Sequence, residues 1–152
     1  MITYVTHQRQ ATFSSSSCLN ARLLAGRRLM LVEDAPDCER KLAQTLTNAG
    51  AELFLDCNAM SAADAILGAK EAPDAILMDL QNSIVEGHEA VRLLRRKGFE
   101  NPIVAMICAG DQELQRWCLN GGYSAFIQRG SDPSEIVSLL NEITLSGNLA
   151  AR

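Results

Sequence analysis

The sequence predicts an α/β fold, a doubly wound parallel sheet of five strands. Five short apolar runs alternate with stretches of helical periodicity, and the runs are nearly continuous, as in strands that are covered on both faces. Parallel strands need crossover connections, and right-handed crossovers place helices on both faces of the sheet. With the strand order 2-1-3-4-5, ligands are expected beyond the carboxyl ends of the first and third strands, where the order reverses.

Each strand-helix unit carries its own signals. "RLMLVED" reads as a buried strand, and Pro36 and Gly50 mark the start and stop of the helix after it. Three similar units pair "AELFLD" with "SAADAILGAK", "DAILMD" with "GHEAVRLLRRKG", and "PIVAMIC" with "DQELQRWCLNGG". The third helix is expected to begin near Glu86, after a loop marked by Asn82, Ser83 and Gly87. In the last unit, "SAFIQ" precedes a helix that Asp132 is expected to cap.

Composition predicts one compact domain. A chain of 152 residues with 47% hydrophobic content buries one sizeable core, which we place at 28–146, with a C-terminal tail at 147–152. Residues 1–27 contain no acidic residue and include a run of four serines. They are expected to form a flexible tail or linker, although they also resemble an organellar transit peptide. Deleting 1–26 is therefore expected to leave the melting temperature almost unchanged.

The charge and the cysteine content indicate which partners and which cellular compartment to expect. The net charge is -4 and the basic residues are scattered, so no nucleic-acid footprint is expected; the cluster at 92–97 reads as a solvated helix face. No run approaches the roughly 18 apolar residues of a membrane span. The five cysteines show no C-x-x-C spacing, which favours free thiols in the cytoplasm.

Three carboxylates follow the first and third strands: Glu33 and Asp34 after "RLMLV", and Asp79 after "AILM". They are expected to meet at one rim of the sheet, where their repulsion requires either a proton on one of them or a hard divalent cation among them; oxygen ligands with open positions suit Mg²⁺. A carboxylate beside Mg²⁺ is a competent nucleophile toward a phosphoryl group, which makes Asp79 a candidate phosphoacceptor. Asp34 alone also fits a helix N-cap, whereas no helix is expected directly after Asp79.

Four segments resemble the successive blocks of a response-regulator receiver domain: "LVEDAPD", "DAILMDLQNSIVEGHEAVRLLRRKG", "NPIVAMICAG" and "GGYSAFIQRGSDP". The resemblance is closest to receivers of hybrid histidine kinases, which share the acidic pair before Pro and the "RRxG(F/Y)xxPI" passage. It implies a flavodoxin-like fold, a phosphoaspartate switch that is not an enzyme, Mg²⁺ as cofactor, and a sensor histidine kinase or histidine phosphotransfer domain as partner. It also implies a possible homodimer through the face from the fourth helix to the fifth strand.

The resemblance assigns a role to each site residue. Asp79 is the phosphoacceptor and a metal ligand, Asp34 a direct Mg²⁺ ligand, Glu33 a ligand through water, and Gln81 a ligand through its backbone carbonyl. Other positions depart from the family. Ile107 stands where the family has a Ser or Thr hydroxyl, Arg129 where it has Lys, Gly130 where it has the following Pro, and Asn82-Ser83 where it has Met-Pro.

Other functions compete with this interpretation. A degenerate receiver would keep the fold and act as a docking module without phosphorylation, as the departures at Ile107, Arg129 and Gly130 favour. A haloacid-dehalogenase-like phosphatase would need a second Asp where Gln81 stands. A dinucleotide-binding domain would need glycines in "EDAPDCE".

Two aromatic positions are assigned no function. His88 is expected to be solvent-exposed at a helix start, and Trp117 to be partly buried, with a partner contact as the alternative. Only "SGNLAAR" follows Leu145, so a stand-alone receiver or the end of a larger kinase is expected.

Overall fold

The computed structural model describes residues 22–81 and 84–150, with the side chains of 36–39 and 147–150 excepted. Strands and helices alternate along this part of the chain. The strands are β1 (Arg28–Val32), β2 (Glu52–Asp56), β3 (Ala75–Asp79), β4 (Ile103–Ile107) and β5 (Ala125–Gln128). The helices are α1 (Pro36–Asn48), α2 (Ala59–Gly68), α3 (Ile84–Arg96), α4 (Gln112–Asn120) and α5 (Pro133–Ala150).

The five strands form one parallel sheet in the order β2-β1-β3-β4-β5. The predicted α/β class, strand order and flavodoxin-like topology are confirmed. The order reverses between β1 and β3, whose register pairs Val32 with Met78. The carboxyl ends of β1 and β3 therefore lie side by side, as ligand sites of such sheets require.

The core has two layers because successive side chains of a strand point to opposite faces. On one face, Met30, Val32, Ile76 and Met78 pack against α2, α3 and α4. On the other face, apolar residues of the same strands pack against α1 and α5; they include Leu29, Leu31 and Leu77. The central strands β3 and β4 are apolar at nearly every position because both of their faces are covered.

Helix α3 begins at Ile84 rather than near Glu86, and Gly87 lies inside the helix instead of marking a loop. Gly87 is buried, and a Cβ atom there would collide with Leu80 and crowd Tyr123 and Met78. The glycine therefore serves the close approach of α3 to β3. Asn82 and Ser83 lie outside the described residues.

The tail predicted at 1–27 is wrong for its last six residues. Leu24 is fully buried in the layer beneath α1 and α5, and its backbone N–H donates to the Ala49 carbonyl at 2.9 Å. Glu52 N–H donates to the Arg27 carbonyl at 2.8 Å. The ordered domain thus includes 22–27, and the rest of the predicted tail lies outside the described residues.

Helix α5 continues to Ala150, beyond the predicted domain end at residue 146. Four of the six residues expected to form a C-terminal tail are therefore helical, and 151–152 lie outside the described residues. At the start of α5 the expected cap is present, since Asp132 Oδ1 accepts from Ser134 N–H at 2.8 Å.

Candidate phosphoacceptor site

The candidate site lies at the carboxyl edge of the sheet. Glu33 follows β1, Asp79 ends β3, Ile107 ends β4 and Arg129 follows β5. Four different strands therefore present one residue each to the same edge, because all strands of the sheet run in the same direction. Two carboxylates and one guanidinium meet there.

Asp79 is held on two sides. Its Oδ1 accepts from the backbone N–H of Gln81 at 3.0 Å, and its Oδ2 lies 3.0 Å from Arg129 Nη1. The side chain is only 3% exposed, and Oδ2 is buried. Leu80 N–H donates to the Met106 carbonyl at 3.1 Å, which continues the β3–β4 pairing just past Asp79. The carboxylate therefore has a fixed orientation, with Oδ2 turned toward the guanidinium.

Glu33 is the second carboxylate of the site. Its side chain is 1% exposed, and its Oε1 lies 3.5 Å from Arg129 Nη2. Its backbone N–H donates to the Asp56 carbonyl at 3.0 Å, so the end of β2 fixes the chain just after β1. A buried carboxylate is costly without a positive partner, and Arg129 provides one for both Glu33 and Asp79.

Arg129 is positioned by the backbone around β5. Its N–H donates to the Ile107 carbonyl at 2.7 Å, and the next residue, Gly130, has φ +83°, a conformation that favours glycine. Ser131 N–H and Oγ then both donate to the Gln128 carbonyl, at 3.1 and 2.6 Å. The tight turn directs the arginine side chain across the edge of the sheet to β1 and β3.

The predicted meeting of three carboxylates is found for two of them. Asp34 is exposed, and no group of three or more His, Cys, Asp or Glu side chains within 22–81 and 84–150 is arranged to hold a metal ion. The oxygen donors fit Mg²⁺ in kind, since Glu33, Asp34, Asp79 and the Gln81 carbonyl offer only oxygen. Two of these donors are buried at one edge, where a divalent ion would offset their charge.

Ile107 lies at the end of β4 with 2% exposure, packed in the layer beneath α2, α3 and α4. Its register partner on β5 is Gln128, next to Arg129. An isoleucine side chain has no hydrogen-bond donor. Polar contacts at this position come from its backbone, whose carbonyl accepts from Arg129 N–H at 2.7 Å.

The sequence matches the response regulator receiver domain family over residues 29–141. This chain belongs to that family. Such receivers take part in two-component signalling, where they pair with histidine kinases or phosphotransfer partners.

Known receivers resemble the chain over most of its length. The chemotaxis protein CheY of Thermotoga maritima is 26% identical over 120 residues, which cover 78% of this chain and 98% of that protein. A two-component response regulator of rice, ORR41 of Oryza sativa subsp. japonica, is 32% identical over 108 residues, covering 69% and 78%.

A solved structure resembles the fold as well. The receiver domain of the sensor histidine kinase PA1611 of Pseudomonas aeruginosa aligns with a TM-score of 0.70 and 25% identity, over 79% of this chain and 98% of that one. That crystal structure contains a magnesium ion coordinated in its active site cleft. In the part of the receiver described here, no helix is long and apolar enough to span a membrane.

Sequence analysis missed an aromatic group between α3 and α4. The expectation of a solvent-exposed His88 is wrong. Its ring stacks on Trp117 with the ring centroids 5.1 Å apart and lies edge-on to Tyr123 with the centroids 5.6 Å apart. Both ring nitrogens are buried and without hydrogen-bond partners, and burial lowers the pKa of His88. Trp117 is 52% exposed. In the sequence this group is visible only as aromatic residues in two successive strand-helix units. That pattern indicates a contact only when the packing of the two helices is known.

The expectation of a solvated helix face at 92–97 is wrong for Arg95. Its guanidinium donates to the carbonyls of Gly122, Phe99 and Asn101 at 2.8 to 3.0 Å, and to Ser124 Oγ at 3.3 Å. Burial lowers the pKa of Arg95, against an opposing contribution from Glu100. Arg95 thus fastens the end of α3 to the loops before β4 and β5.

Proposed function

We propose that this receiver accepts a phosphoryl group on Asp79 from the phosphohistidine of a histidine kinase or of a phosphotransfer domain. The observation that carries the proposal is the buried Asp79 carboxylate at the end of β3, which has one oxygen fixed by the Gln81 amide and the other turned toward a cation. An oriented, buried carboxylate with a positive neighbour is suited to nucleophilic attack on phosphorus.

The transfer is a displacement at phosphorus. Asp79 Oδ2 forms the new P–O bond while the P–N bond to the donor imidazole breaks, and the imidazole takes a proton from solvent. The Gln81 N–H holds Oδ1 and so orients the carboxylate. The product is an acyl phosphate on the receiver, with no net turnover of substrate, so the chain is a signalling acceptor rather than an enzyme.

Mg²⁺ is part of the proposal. The ligands would be Asp34, Asp79, the Gln81 carbonyl and, through water, Glu33. When bound, the ion supplies positive charge that offsets the repulsion between Asp79 and the incoming phosphoryl oxygens. The described thiols, Cys57, Cys108 and Cys118, are free, which supports a reducing, cytoplasmic setting for the reaction.

Labelling with acetyl phosphate and Mg²⁺ tests the proposal by intact-protein mass. We expect the mass of one added phosphoryl group on the parent protein and none on Asp79→Asn, because the amide cannot form an acyl phosphate. Asp64→Asn, which changes an exposed carboxylate of α2, is the matched control and should label like the parent. Full labelling of Asp79→Asn would remove Asp79 from the reaction.

A second candidate function is a docking module that signals without phosphorylation. Ile107 favours it, because this residue is buried and lacks the hydroxyl of the family, and so does Arg129 in place of the family's Lys. Beryllofluoride with Mg²⁺ mimics the acyl phosphate and separates the two candidates. A rise in melting temperature supports the phosphoacceptor, whereas an unlabelled protein with an unchanged melting temperature supports the docking module.

A further inference from the structure

We propose that the guanidinium of Arg129 and Mg²⁺ compete for the carboxylates of Glu33 and Asp79, so that the arginine side chain must withdraw before the metal binds. The inference rests on the Mg²⁺ site of the proposed function and identifies the residue of this chain that opposes it. Its consequence is a receiver whose phosphorylation requires enough Mg²⁺ to displace an internal cation.

The guanidinium of Arg129 lies against both buried carboxylates of the site. Nη1 lies 3.0 Å from Asp79 Oδ2 and Nη2 lies 3.5 Å from Glu33 Oε1, so one planar group spans both carboxylates. Oδ2 is buried under these contacts. A cation that approaches both carboxylates on this side meets the guanidinium first.

The positive charge of Arg129 also opposes the binding of a second cation. An arginine side chain stays protonated in proteins, so its positive charge cannot be removed by a change of pH. The three carboxylates of the proposed Mg²⁺ site, Glu33, Asp34 and Asp79, carry about -3, and the guanidinium reduces this to about -2, whereas a divalent ion is bound best where the anionic oxygens remain uncompensated. The guanidinium lies against the two buried carboxylates, Glu33 and Asp79, whereas Asp34 is exposed.

The route of withdrawal follows from the backbone. Arg129 N–H is bonded to the Ile107 carbonyl at 2.7 Å, and the turn at Gly130 and Ser131 closes on Gln128. The main chain is therefore held, and the motion belongs to the side chain. The Arg129 side chain is 23% exposed, against 1% for Glu33 and 3% for Asp79, so part of it reaches solvent although Nη1 itself is buried.

A Mg²⁺ titration followed by NMR tests the competition in the full chain. The backbone amide of Gln81 reports on the site because it donates to Asp79 Oδ1, and the Arg129 Nε–Hε signal reports on the guanidinium. Arg129→Met removes the charge and keeps much of the volume, and Arg129→Lys keeps the charge without the planar fork. Arg96→Met, at the far exposed end of α3, is the matched control for a lost positive charge.

We expect Mg²⁺ to bind Arg129→Met about 5- to 150-fold more tightly than the parent, the range typical of the coupling between two binding sites. Arg129→Lys should fall between the two, and Arg96→Met should match the parent. In the parent, the Arg129 Nε–Hε and Gln81 signals should shift with the same midpoint. Equal or weaker binding by Arg129→Met overturns the proposal.

Two further results also overturn the competition. One is a Gln81 signal that shifts with Mg²⁺ in the parent while the Arg129 signal does not. This result is obtained on the parent alone, so it does not depend on the folding of any variant. The other is an unchanged Gln81 signal in every protein. Failure of the proposed function is separate, since it is measured by labelling of Asp79: a receiver that cannot be labelled but binds Mg²⁺ more tightly after Arg129→Met keeps the competition and loses the phosphoacceptor role.

Discussion

His88 is a residue whose behaviour depends on a contact between two helices. It belongs to α3, and its ring stacks on Trp117 of α4 with centroids 5.1 Å apart. Its two nitrogens are buried without hydrogen-bond partners, so the imidazolium form would lose its hydration. Burial accordingly lowers the pKa of His88 below 6.5.

The lowered pKa of His88 predicts a loss of stability in acid. Between the folded-state pKa and about 6.5 the unfolded chain binds more protons than the folded one, so the free energy of unfolding falls as the pH falls through that window. Above the window the contribution of the neutral His88 to stability is complete. His88→Phe cannot titrate and should lose less stability than the parent between about pH 7.5 and 5.5. Urea unfolding at both pH values measures this, and identical losses in the two proteins would contradict it.

Sequence patterns predicted the residues of the candidate site better than their contacts. The edge position of Glu33 and Asp79 follows from the ends of apolar runs, and the register of β1 and β3 confirms that these ends adjoin. The exposure of Asp34 and the contact of Arg129 with both carboxylates depend on side-chain directions after three strands. No periodicity in a single segment contains that information.

At the scale of elements, α3 shows a local signal overridden by packing. Glycine is a poor helix former, and in the sequence Gly87 favours a loop. In the structure it is buried inside α3, where a side chain would collide with Leu80 of the loop after β3. The strands, by contrast, were predictable because nearly continuous apolar runs have few other uses in a short chain.

Gly87→Ala should destabilise the receiver although alanine is the better helix former. The helix gains up to about 1 kcal/mol in propensity, and overpacking against Leu80 and Tyr123 costs about 1–3 kcal/mol, so the net expected loss is up to about 2 kcal/mol. Gly68→Ala is the matched control, since an added Cβ at this residue of α2 meets nothing within 4 Å. Chemical denaturation measures both, and equal stabilities of the two variants would contradict the packing explanation.

The whole molecule is a sheet with two apolar layers, and one layer extends beyond the strand-helix units. Leu24 precedes β1, yet it is packed with Leu46 and Ala49 of the first unit. Ala25 lies against Gly50, whose φ of +98° and close neighbours leave no room for a side chain. Sequence analysis placed 22–27 with the polar segment before it because an average over composition hides a short apolar stretch such as 23–25.

The buried Leu24 predicts that the receiver depends on this segment, contrary to the expectation that deleting 1–26 is harmless. Leu24→Ala should lower the free energy of unfolding by about 2–5 kcal/mol, since it removes a fully buried side chain from the layer beneath α1 and α5. Leu145→Ala, at a leucine of α5 that is 48% exposed, is the control and should cost much less. Two chains that begin at Arg22 and at Arg28 give an independent measure, because the shorter one also loses the hydrogen bonds to the Ala49 carbonyl and from Glu52 N–H. Equal stability of these two chains, or of Leu24→Ala and the parent, would place the boundary of the domain at β1 after all.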